Sequence, residues 1–156
     1  MTSTAHIDLS LPSPGDTARL AEQFAAIVGP GDTLLLEGEI GAGKSHFARS
    51  LIKSKIPNVG DVPSPTFTLV QTYQDGDLEI WHCDLYRLTH PDEAVELGLL
   101  EAFETAVCLV EWPDRMGPDV PSKAVTLRFE AMPDGHHVQI TSRDINWIKR
   151  FEAIHV

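Results

Sequence analysis

The stretch Leu34-Leu35-Leu36-Glu37-Gly38-Glu39-Ile40-Gly41-Ala42-Gly43-Lys44-Ser45-His46-Phe47-Ala48-Arg49 sets three glycines and a lysine between an apolar run and a segment of helical periodicity. Gly38 to Ser45 matches G-x-x-x-x-G-K-[ST] at every specified position, directly after a strand-like run and directly before a helix-like one. Small residues there let the backbone curl so that successive N–H groups point inward at a phosphate chain. The following helix N-terminus adds its partial positive charge. Lys44 is expected to reach the β and γ phosphates, and the Ser45 hydroxyl to bind Mg²⁺. An incidental glycine-rich turn would have no reason to carry both flanks.

Hydrolysis at such a loop also needs a carboxylate near the metal, at the C-terminal end of a neighbouring strand. Glu111 follows Ala106-Val107-Cys108-Leu109-Val110, whose unbroken hydrophobicity suits a strand buried on both faces. Asp84 follows Leu78-Glu79-Ile80-Trp81-His82-Cys83, a mixed pattern suited to a less buried strand. One acid can hold the Mg²⁺ shell while the other orients the attacking water, and the sequence leaves open which does what. Ser64-Pro65-Thr66-Phe67 reads either as a nucleotide-sensing switch, with a threonine that meets Mg²⁺, or as a proline-rich strand entry.

Around this centre, Pro12, Pro14 and Gly15 form a turn, and Asp16 is expected to cap a helix reaching about Val28. Leu20, Ala21, Phe24 and Val28 mark its apolar face. Gly29-Pro30-Gly31-Asp32 breaks the chain before a strand at Thr33 to Glu37. A helix over Lys44 to Lys53 presents Phe47, Ala48, Leu51 and Ile52 on one side. Strands are predicted at Thr66 to Tyr73 and Leu78 to Cys83, around an Asp75-Gly76 hairpin turn. Pro91-Asp92-Glu93 opens a helix reaching about Phe103, and Ala106 to Glu111 is a strand. Ala124 to Glu130 and His137 to Thr141 form a hairpin around Pro133-Asp134-Gly135. Asp144 then caps a final helix with Ile148, Phe151 and Ile154 apolar. No repeat or interdomain linker is visible. The expectation is one phosphate-loop NTPase-like α/β domain over residues 1–156, in three α/β/α layers, with a mixed, mainly parallel sheet and a C-terminal antiparallel hairpin.

Composition bounds the functions. The 156 residues are 42% hydrophobic and 22% charged, as in ordinary globular proteins. With 12 basic and 23 acidic residues the net charge is −11, which repels a polyanion and excludes a solitary RNA-binding role. The longest apolar runs, such as Ala106 to Val110, are too short for a bilayer. The N-terminal MTSTAHIDLS lacks signal-peptide regions, so a cytoplasmic location is expected. Cys83 and Cys108 match no metal spacing; free buried thiols are expected over a bridge. Asp75, Asp77 and Glu79 lack the rest of a calcium loop. His136 and His137 point to opposite strand faces and read as surface hairpin residues. Asp114-Arg115-Met116-Gly117 matches D-x-x-G, but no N-K-x-D-like segment follows, so adenine is expected over guanine.

The phosphate loop, then Ser64-Pro65-Thr66-Phe67, then His82-Cys83-Asp84-Leu85-Tyr86-Arg87, then Glu111-Trp112 appear in the order seen in the TsaE (YjeE) family, and the chain resembles it over about residues 13 to 115. The resemblance implies an ATPase subunit needed to make threonylcarbamoyladenosine in tRNA, acting with TsaD and TsaB. It implies that Gly38 and Gly41, Ala42, Gly43, Lys44, Ser45 and His46 bind ATP, and that Ser45 and Glu111 serve Mg²⁺. Thr66 would belong to the switch, Asp84 would be essential for hydrolysis, and Trp112 would lie beside the adenine, with plain core packing as its other reading. Thr17 would lie near the nucleotide. The loop departs from the family's usual one in Glu39, Ser45 and His46; serine keeps the metal-binding oxygen. Arg87 and Arg115 are the in-cis arginine-finger candidates, and the completing charge is expected from a partner, with slow hydrolysis by the isolated chain and no direct tRNA binding. Two other readings stand beside this one. A small-molecule or nucleotide kinase would need an arginine-rich lid that the 12 basic residues do not concentrate. A non-catalytic nucleotide-sensing interaction protein would have no use for Asp84.

Overall fold

Thr33–Glu37 (β2) is the apolar run before the phosphate loop, and four of its residues are buried. Burial of side chains such as Leu34 and Leu36 contributes about 1.5–3 kcal/mol each, so such a run belongs at the centre of a sheet. The computed structural model, which describes residues 5–39, 42–65 and 68–154, places it there. The other strands are Ala5–Leu11 (β1), Val70–Asp75 (β3), Leu78–Asp84 (β4), Val107–Glu111 (β5), Val125–Met132 (β6) and Gly135–Ser142 (β7). They form one seven-stranded sheet in the order β1-β7-β6-β2-β5-β4-β3. The four central strands β6, β2, β5 and β4 are parallel to one another. The outer pairings β1–β7, β7–β6 and β4–β3 are antiparallel, so the sheet is mixed and its C-terminal hairpin is the expected one.

Helices cover the two faces. Pro14–Ile27 (α1) and Lys44–Lys55 (α2) pack on the side of Leu34, Leu36, Ile80, Leu109 and Leu127. Phe24 meets Phe47 edge-on at 5.7 Å, and Phe47 meets Phe129 at 5.5 Å, an arrangement aromatic rings favour. On the other side, Leu99–Thr105 (α4) packs with Leu35, Cys83, Cys108 and Val110. Strand alternation sends successive residues to these two cores, which is why the central strands are apolar throughout. Cys83 and Cys108 are free and buried, as expected. Burial pushes the Cys108 thiol up to about 12 and the Cys83 thiol well above its ordinary value, so neither is a nucleophile near neutral pH.

Several expectations are corrected. The cap of α1 is Ser13, not Asp16; Asp16 stands three residues on, and its Oδ2 accepts from the Ser13 N–H at 3.0 Å and hydroxyl at 2.9 Å. The helix expected from Pro91 to Phe103 is two pieces, Asp92–Glu96 (α3) and α4, separated at Gly98 with φ +85°. The strand expected from Thr66 begins at Val70, after Leu69 takes φ 67° and its N–H closes on the Pro65 carbonyl at 2.8 Å. The last helix is Ile145–Arg150 (α5); its buried anchor is Trp147, while Ile148 is only half-buried. Strand β1 was not anticipated: it pairs along its whole length with β7, from Ala5↔Ser142 to Leu11↔His136. No helix among the described residues is long and apolar enough to cross a membrane.

Candidate functional site

The parallel strands β2, β5 and β4 end side by side, with Leu36, Glu111 and Asp84 in one cross-strand row. The chain then has to leave β2 past β6. Gly38 does so at φ +132°, where a Cβ would lie 2.3 Å from the Phe129 carbonyl oxygen, so only glycine passes. Gly43, at φ +109°, turns the loop into α2.

Lys44, the first residue of α2, is 5% exposed. Its Nζ donates to the Gly38 carbonyl and lies 4.1 Å from the centroid of the Trp112 ring. Burial pulls its pKa below the usual lysine value, against the upward push of the Glu111, Asp84 and Asp114 carboxylates. The Ser45 hydroxyl donates to Glu111, at 3.1 Å from Oε1 and 3.3 Å from Oε2. Glu111 also meets His82, whose Nε2 is 2.7 Å from Oε2. Asp84 is buried and its Oδ1 accepts from the Tyr86 N–H at 3.1 Å. Trp112 holds a left-handed conformation, φ 59°, with its N–H on the Leu36 carbonyl at 3.4 Å. That turn brings its ring against Tyr86, centroids 4.9 Å apart. Arg115 lies over the other ring of this pair, 5.7 Å from the Tyr86 centroid.

These side chains enclose a cavity of about 590 Å³, within the range of small-molecule sites. Gly43, Lys44, Ser45 and His46 form one wall, Asp84 and Glu111 the floor residues, and Tyr86, Arg87 and Trp112 another wall. Pro14 and Thr17 close it from α1, and the His46 ring holds the Pro14 carbonyl at 3.1 Å. Of the residues singled out in the sequence, Thr17, Gly43, Lys44, Ser45, His46, Asp84, Glu111 and Trp112 therefore meet in one place. Gly38 shapes the loop from outside the cavity, and Ala42 is buried in the core beneath it. Gly41 and Thr66 lie outside the described residues.

A hard cation takes oxygen ligands, and the Ser45 hydroxyl with the Glu111 carboxylate is such a set. No group of three His, Cys, Asp or Glu among the described residues could hold a metal alone. Two such oxygens would suit a cation like Mg²⁺, which keeps few protein ligands and takes the rest from phosphate and water.

A family model described as "Threonylcarbamoyl adenosine biosynthesis protein TsaE" matches residues 11–140. The chain belongs to the TsaE family. It is 38% identical over 124 residues to the tRNA threonylcarbamoyladenosine biosynthesis protein TsaE of Rickettsia bellii, covering 80% of this chain and 86% of that one. To the protein of the same name from Bacillus subtilis it is 39% identical over 123 residues, covering 78% and 76%. The crystal structure of Bacillus subtilis YdiB superposes with a TM-score of 0.75 at 28% identity, covering 97% of this chain and 94% of that one.

In this TsaE family chain, three residues of the site carried no role in the sequence reading. His82 was visible as part of a motif, and its period-two spacing from Asp84 puts both on one strand face. Tyr86 pairs with Trp112 through a turn that no local pattern announces. His136 was read as a surface hairpin residue; it lines the cavity, and its Nδ1 would lie 3.3 Å from a Cβ on Gly43.

Proposed function

We propose that this chain binds and hydrolyses ATP with Mg²⁺, as the ATPase subunit that supports threonylcarbamoyladenosine modification of tRNA together with TsaD and TsaB. In this reading residues 1–156 act as one phosphate-loop domain in the cytoplasm. The observation that carries it is the convergence of Lys44, Ser45, Glu111 and Asp84 on one cavity directly after β2. Each is a residue type the chemistry needs, and they come from three separate points of the chain, the start of α2 and the ends of β4 and β5.

Lys44, which lines the cavity, exchanges the Gly38 carbonyl and the Trp112 face for phosphate oxygens. The oxygens of Ser45 and Glu111 would hold Mg²⁺. The metal supplies Lewis-acid stabilisation of the phosphoryl oxygens. Asp84, beside Glu111, orients the attacking water and accepts its proton. Trp112 and Tyr86 offer ring faces to the adenine, and Thr17 and His46 approach from the α1 side. Gly41 contributes a loop amide and Thr66 the nucleotide-sensing switch. Arg87 reaches the cavity wall, and the remaining transition-state charge comes from a partner.

The test is ATP turnover by the chain alone and with TsaB and TsaD. Turnover alone is expected to be slow, well below the roughly 1–100 per second of kinases, and to rise with the partners. Asp84→Asn should keep ATP affinity and lose partner-stimulated hydrolysis by at least about 10²-fold. Unchanged turnover in that variant would replace hydrolysis by a purely nucleotide-sensing role, and labelled phosphate appearing in an acceptor would make the protein a kinase.

A further inference from the structure

On the α2-facing side of the sheet, β4 runs Ile80, His82, Asp84 and β5 runs Val107, Leu109, Glu111. Both begin apolar and end polar, and His82 is the residue where β4 changes character. It is 1% exposed, beneath the phosphate loop, among side chains of the larger core. Its Nε2 lies 2.7 Å from Glu111 Oε2, while Oε1 of the same carboxylate is the closer partner of the Ser45 hydroxyl, at 3.1 Å. A carboxylate that takes the Ser45 proton as a hydrogen bond only accepts, so Nε2 is the donor. The opposite nitrogen, Nδ1, is buried without a hydrogen-bond partner among the described residues.

That orphaned nitrogen is informative. A buried ring atom with no partner costs stability, and a leucine in its place would pack without that cost. Packing therefore does not account for a histidine here, and among the described residues the polar contact of its side chain is the one to Glu111. The geometry points to His82 as the positioning residue of the metal site: by donating to Oε2 it fixes the rotation of the Glu111 carboxylate and leaves Oε1 aimed at the Ser45 hydroxyl, where the two oxygens share a divalent cation. Partners that orient a ligating group from behind commonly govern metal affinity as strongly as the ligands do. This rests on the assignment of Ser45 and Glu111 to Mg²⁺ made above.

The test uses Mn²⁺ in place of Mg²⁺, read by electron paramagnetic resonance in the presence of a non-hydrolysable ATP analogue. Analogue affinity in EDTA and the melting temperature are measured alongside. His82→Leu should weaken Mn²⁺ binding about 10–100-fold, while metal-free analogue affinity holds and the melting temperature holds or rises. His82→Gln, whose side-chain amide can donate from a similar reach, should recover most of the Mn²⁺ affinity. Unchanged Mn²⁺ binding in His82→Leu would overturn the proposal. So would a joint fall of Mn²⁺ affinity, analogue affinity and melting temperature that glutamine does not rescue, which would make His82 structural. Wild-type protein that binds the analogue but no Mn²⁺ would remove the metal assignment itself, and this inference with it.

Discussion

Lys44 keeps its ammonium out of water, donating to the Gly38 carbonyl and facing the Trp112 ring at 4.1 Å, and burial holds its pKa below the usual value. The folded chain thus binds this proton less tightly than the unfolded chain, whose lysine titrates near roughly 10.4. Between the lowered pKa and that value the unfolded state carries more of the proton, so the Lys44 contribution to stability rises with pH. Wild type should therefore gain on Lys44→Met as pH climbs from neutral towards about 10.4, measured by urea denaturation at both ends. A difference that stays flat or shrinks would contradict burial as the dominant cause. Lys44, Ser45, Asp84 and Glu111 were legible as single residues because motif spacing and strand-end position mark them. His82, Tyr86 and His136 were not, since each owes its role to a neighbour on another strand or loop.

Two glycines of the phosphate loop do different jobs, and the difference can be measured. At Gly43 a Cβ would meet a histidine side chain at 3.3 Å, contact that a small ring movement relieves. What remains is the left-handed backbone, worth about 1–2 kcal/mol for a residue with a Cβ. At Gly38 a Cβ would meet the Phe129 backbone oxygen at 2.3 Å, and neither β2 nor β6 can move aside without breaking their pairing. Gly38→Ala should accordingly cost more than Gly43→Ala, beyond roughly 3 kcal/mol, in equilibrium unfolding. Equal losses would show that the loop, not the sheet, sets the constraint. The elements themselves were readable where one periodicity ran uninterrupted, as in α1, α2, β2 and β5. They were misread where a single residue redirects the chain: Gly98 splits α3 from α4, and Leu69 delays β3. Strand β1 alternates cleanly, yet its partner is the last strand along the chain, and no local pattern names a partner so distant.

The net charge of −11 belongs to the molecule as a whole and governs what it meets. Most non-specific affinity for nucleic acid comes from basic groups set against phosphates, and here acids outnumber them 23 to 12. The isolated chain should retain no tRNA in filter binding even at about 50 mM salt, where such contacts are strongest. Retention that fades as salt rises would assign the chain its own RNA surface. The family's name refers to tRNA modification, and that charge opposes a nucleic-acid contact made by this chain alone. The amino-acid order alone decided the glycine-rich loop, the acids that end two strands and the central buried strand. Such features are encoded within a dozen neighbouring residues, through backbone freedom and the period of apolar side chains. Tertiary packing decided which strands lie side by side, and so which carboxylate faces the Ser45 hydroxyl. It also decided which aromatic pair walls the cavity and which buried histidine stands behind the Glu111 carboxylate. Those relations join points far apart along the chain, and only the closing of the sheet brings them within hydrogen-bonding distance.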